Sequence, residues 1–111
     1  MAETLKKLFQ GQLGTSDAAL FTGTAGHVYT IALLYITNTD NADRTFRLHA
    51  VDAAGASSAA NALFYDTNIN MNSTLPATEF RGLVLTGAEM IRGLASVASK
   101  ITVTAFGVDA S

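Results

Sequence analysis

The chain has 111 residues, the size of one compact domain. Seven basic against nine acidic side chains leave no field able to draw in nucleic acid or an acidic membrane, and the absence of cysteine excludes a disulfide framework and a thiolate metal site. The apolar fraction is 49%, but 19 of those residues are Ala, so the core is thin and shelter from further copies of the chain is a natural supplement.

The opening residues MAETLKK lack the apolar run of a secretory signal, and the longest uncharged apolar stretch, near residues 31–36, is far too short to cross a bilayer. A soluble protein is expected. Residues 4–9 admit a short helical turn with Leu5, Leu8 and Phe9 on one face, but a helix that short is marginal, and an extended arm leading into a strand near residues 9–13 is preferred. The organisation that follows is an N-terminal arm over residues 1–10 and a single domain over residues 11–111.

Fourteen Thr, nine Gly and a single Pro favour strands and tight turns. Residues 28–37, VYTIALLYIT, are β-branched and aromatic and apolar on both parities, which reads as a central strand buried on both faces or lying at a subunit contact. The turn-forming segment 38–43 follows, and residues 45–51 then alternate, with Phe46, Leu48 and Ala50 facing one way and Arg47, His49 and Val51 the other. These two runs make a hairpin. Residues 52–61 read as a surface loop with room for a short helical turn, 62–66 as a short strand, and 68–73 as an irregular edge. A strand over 78–85 puts Phe80, Gly82 and Val84 on one parity, and the turn 86–89 leads to a strand at 90–95. After a second turn at 96–99 comes a last strand, with Ile101, Val103 and Ala105 on one face and Thr102, Thr104, Phe106 and Val108 on the other. Seven to eight short strands predict an all-β fold, an antiparallel β-sandwich of jelly-roll or immunoglobulin-like type.

Chemical signatures are sparse. His27 and His49 lie on different strands without the spacing of metal ligands, and read as strand-end or sheet-surface residues. No GxSxG turn accompanies the many Ser and Asp, so the chain is read as non-enzymatic, with no cofactor. Asp40 and Asp43 with Asn38 and Asn41 offer hard oxygen ligands in one loop, yet their spacing matches no EF-hand and the same residues are ordinary in turns; no metal is expected. Tyr29, Tyr35 and Tyr65 offer stacking faces for a carbohydrate, weakened by the lack of Trp.

Three segments taken together carry a resemblance: residues 11–16 (GQLGTS) with Leu20-Phe21-Thr22; Ile36-Thr37-Asn38-Thr39; and residues 83–85 through Ile91 and Ala95-Ser96 to 101–108 (ITVTAFGV). Their order resembles small virion structural proteins of tailed bacteriophages, a group that includes β-sandwich capsid decoration, or cement, proteins. The resemblance implies a protein made in the host cytoplasm that sits on the capsid surface of the virion, binding and bridging the major capsid protein. It implies self-association too, a trimer ahead of a dimer. Tail or fibre parts, and a carbohydrate-binding sandwich, are the alternatives. For the partner contact the arm is the candidate, with Leu5, Leu8 and Phe9 as apolar anchors and Lys6 and Lys7 as the charged rim, because apolar residues on a terminal segment need covering.

Overall fold

The computed structural model describes residues 5–78 and 81–110. Nine strands follow in order: β1 (Leu5–Gln12), β2 (Ala18–Thr22), β3 (Val28–Asn38), β4 (Arg44–Val51), β5 (Ala62–Ile69), β6 (Ser73–Pro76), β7 (Leu83–Thr86), β8 (Met90–Ala95) and β9 (Ile101–Ala110). They form two antiparallel sheets, an all-β sandwich as expected. The first runs β1-β9-β3-β6, with β7 also paired to β3, and the second runs β2-β8-β4-β5. β6 pairs with residues 35–38 of β3 and β7 with residues 28–31, so the two are halves of one interrupted edge strand. Counted that way, the eight strands pass from one sheet to the other at every connection except β4 to β5, the order of a jelly roll, which decides between the two expected sandwich types.

The strand expected over 78–85 is shorter. It begins at Leu83, because Gly82 takes a positive φ of 91° while its N–H still bonds the Ile31 carbonyl at 2.7 Å. Phe80 lies outside the described residues. The expected irregular edge at 68–73 divides between the end of β5, a turn with Asn72 at φ 52°, and the start of β6.

The inward alternation of β9 is as expected: Ile101, Val103 and Ala105 are fully buried. Phe46, Leu48, Ile91 and Phe64 meet them from the second sheet. In β3 the inward set is Tyr29 and Ile31, then Leu34 and Ile36, and the change of parity falls at a bulge between Ile31 and Leu33. That bulge explains why both parities of the segment are apolar: one continuous inward row crosses from odd to even positions. A second bulge between Lys7 and Phe9 sits at nearly the same level of β9. Gly107 lies beside both, and a Cβ there would run into the Thr30 carbonyl oxygen and press on Leu8, so the close approach of β3 and β9 requires glycine.

The loop after β4 behaves as expected and does more. It holds a 3-10 turn at Ala59–Asn61, capped by a reciprocal Ser58–Asn61 box. The same Asn61 reaches across to the second sheet.

A candidate docking surface

Each sheet has an outer face, and the register defines what the first one presents. Across β1, β9, β3 and the edge strands, the outward rows are Gln12–Thr102–Thr37–Thr74, Gln10–Thr104–Tyr35–Pro76, Lys7–Phe106–Leu33, Leu5–Val108–Thr30–Val84, and Ala110–Val28–Thr86. One half of this face is polar and tied together, with Gln10 Nε2 donating to Thr104 Oγ1 at 2.9 Å and the Thr37 and Thr74 hydroxyls 3.1 Å apart. The other half is apolar. Leu5 (58%), Val84 (50%), Val28 (40%) and Leu33 (38%) are four of the six large apolar side chains left exposed among the described residues. Half-buried Phe106 and Val108 join them into one patch. The sandwich is elongated, 45 × 27 × 21 Å, and the patch occupies one end of its sheet. Its flank carries a small charged cluster in which Asp109 accepts from Lys6 Nζ at 3.5 Å and lies 2.7 Å from His27 Nδ1. The His27 imidazole, with Lys6 beside it, holds the Asp109 carboxyl below the usual carboxylate range.

The five arm residues separate here. β1 begins at Leu5, so residues 5–10, expected as arm, run along β9 as an edge strand. Leu5 stays exposed on the patch, Lys7 is exposed on its rim, and exposed Lys6 turns to Asp109. Leu8 is half-buried against the core, and Phe9 is in the core at 8% exposure, stacked on Phe21 with ring centroids 5.2 Å apart. A ring buried there is not presented to a partner. Sequence reasoning missed Leu33, Val84, Phe106 and Val108 as a surface, although the two-sided apolarity of residues 28–37 and the outward Phe106 and Val108 were its signal.

Other candidates are also placed. Asp40 is clamped by Arg44, whose Nη2 lies 2.7 Å from Oδ2, and accepts the Asn41 N–H at 2.8 Å, contacts that hold its carboxyl below the ordinary range. Asp43 accepts the Met71 N–H, and fully buried Asn38 bonds Asp40, Ala42 and Ile69, so these oxygens build the turn itself. The three tyrosines do not converge. Tyr29 is core, with its hydroxyl accepting the Thr24 N–H, Tyr35 lies on the outer face of the first sheet, and Tyr65 lies half-exposed on the second.

His49 departs from expectation: it lies on the outward parity of β4 yet is 3% exposed, because the 52–61 loop folds back over it. Val51, on the same parity, is 2% exposed with Gly55 against it. The same face carries two ion pairs, Arg47 to Asp66 through two bonds of 2.7 and 3.0 Å and Arg92 to Asp17 at 2.9 Å.

No family model matches the chain, and no curated protein matches it either. Two solved structures are similar, both of infectious bursal disease virus. That of the Gx strain has a TM-score of 0.39 and 9% identity over 97% of this chain, and that of the Gt strain a TM-score of 0.30 and 13% identity over 96%. This chain spans 30% of the length of each.

Proposed function

We propose that the protein is a non-enzymatic structural component of a virion, a decoration subunit that binds the outer head shell and bridges major capsid protein subunits. The observation that carries this reading is the bare apolar half of the first sheet. An exposed, clustered apolar surface on a small domain is stabilised by being covered, and covering the exposed part of Leu5 or Val84 contributes about 1 kcal/mol each. Scarcity of charge in the patch fits the centre of a protein interface, with Lys7 at the rim.

Copies of the chain are the first occupant, as a trimer ahead of a dimer: a patch at one end of an elongated body lets three ends converge about an axis. The β1 edge, through Leu5, Lys6 and Lys7, then supplies contacts to the shell. Leu8 and Phe9 support that edge from within.

Occupancy on purified heads tests the reading. Wild type is expected to bind and to raise resistance of the heads to heat and osmotic shock, whereas a Leu5→Asp, Lys6→Glu, Lys7→Glu variant binds weakly. Point changes are preferable to removing residues 1–8, which would delete half of β1. Recovery of the protein in tails alone would overturn the head location.

A further inference from the structure

On the opposite side of the molecule, between the second sheet and the 52–61 loop, lies a cleft of about 280 Å³ lined by Asp17, Arg47, His49, Ser57, Ser58 and Tyr65 among others. That is just under the roughly 300 Å³ at which sites for drug-sized ligands begin, a size that suits a single ring and nothing larger.

Its charges cancel in pairs. Arg47 is held by Asp66 and Arg92 by Asp17, and Asp17 also accepts from Ser57 Oγ at 2.8 Å. An incoming anion meets the Asp17 carboxylate and an incoming cation meets Arg47, so neither is favoured. The hydrogen-bonding groups are nevertheless fixed in place. Asn61 Nδ2 donates to the Ala56 carbonyl, so Asn61 Oδ1 is the acceptor that faces His49 Nδ1 at 2.9 Å. Nδ1 therefore carries a proton. Nε2 is the ring nitrogen with no partner among the described residues, on a side chain that lines the cleft while only 3% exposed. Tyr65 completes the site. It is 50% exposed; the Arg47 guanidinium lies over one face of its ring, 4.0 Å from the centroid, and His49 is set edge-on to it, so a ligand packs on the ring surface that remains open. An exposed aromatic ring beside fixed donors and acceptors of zero net charge matches a neutral polyhydroxylated ring, which offers C–H faces for packing and hydroxyls for both polarities.

We propose that this cleft binds a hexopyranose unit of a neutral glycan, packed on the exposed part of Tyr65 with a hydroxyl hydrogen-bonded to His49 Nε2. The site lies on the sheet opposite the apolar patch and is independent of assembly through it.

The test is titration of the 15N-labelled protein with the methyl glycosides of glucose, galactose, mannose and N-acetylglucosamine, with sodium acetate and inorganic phosphate run in parallel. Amide shifts from at least one glycoside are expected at Arg47, His49, residues 56–59 and Tyr65, with weaker binding of both anions. Tyr65→Ala should weaken the glycoside by about tenfold or more, while Val84→Asp leaves it unchanged. If no glycoside shifts these amides, or if an anion binds there more tightly than every glycoside, the proposal is overturned, whatever the assembly state of the protein.

Discussion

The two outer faces of the sandwich are treated in opposite ways. On the second sheet the chain covers much of itself: the 52–61 loop buries His49 and Val51, and two ion pairs lie beside them, leaving Tyr65 half-exposed at the cleft. On the first sheet, rows of Thr and Gln give way to Leu5, Val28, Leu33 and Val84 with no segment of the described chain over them. Two faces of one core thus differ in what has been left for another molecule. A closed face adds to the stability of the single subunit, whereas an open apolar face adds stability only upon association.

Substitutions beneath and upon the two faces sharpen that difference. The shared core should give the largest effect: Phe46→Ala, at 1% exposure, is expected to cost about 3–5 kcal/mol in chemical unfolding. Next come the faces themselves. Val51→Ala on the closed face should cost about 1–3 kcal/mol, while Val84→Ala on the open face stays within about 0.5 kcal/mol for a dissociated subunit, so equal losses would erase the distinction. Asn61→Ala, which uncaps the 3-10 turn and releases His49, should cost about 1–2 kcal/mol and speed proteolysis within residues 52–61.

Acid should act more gently. For Asp17, burial pushes the carboxyl up, but its bonds to Ser57 and Arg92 outweigh that and hold it below the ordinary value. Its folded pKa is lower than its unfolded one, so its stabilisation is complete above the unfolded value of about 3.9 and is lost as pH falls through the folded value. Asp66, held down by Arg47, and Asp109, held down by His27, carry the same sign. Melting temperature is therefore expected to drop as pH is lowered beneath the ordinary carboxylate range, and Asp17→Asn should flatten that drop. An unchanged slope in the variant would remove the Asp17 contacts from the account.

Legibility from sequence follows the range of the interactions. β9 and β4 were readable because their alternation is local and unbroken. In β3 the bulge before Leu33 shifts the inward row, so Tyr29, Ile31, Leu34 and Ile36 look like two faces when they are one. β2 was missed because Ala18 and Ala19 carry little strand signal, and its pairing comes from distant β8. Phe9 looked like an anchor on a free arm because its stacking partner, Phe21, lies on the other sheet. His49 looked solvated because the loop that covers it is nearly featureless in sequence. The apolar patch was half legible, in Phe106 and Val108 and the doubly apolar β3, and required the register to become one surface.

Sedimentation velocity on wild type and Val84→Asp, over a range of concentrations, tests the open face most directly. Val84 is half exposed and remote from the core, so the variant should fold and melt as a subunit much as before. Wild type is expected to sediment as a closed oligomer, a trimer ahead of a dimer, and Val84→Asp as a monomer. A wild type that stays monomeric throughout, or an oligomer indifferent to Val84→Asp, would contradict it.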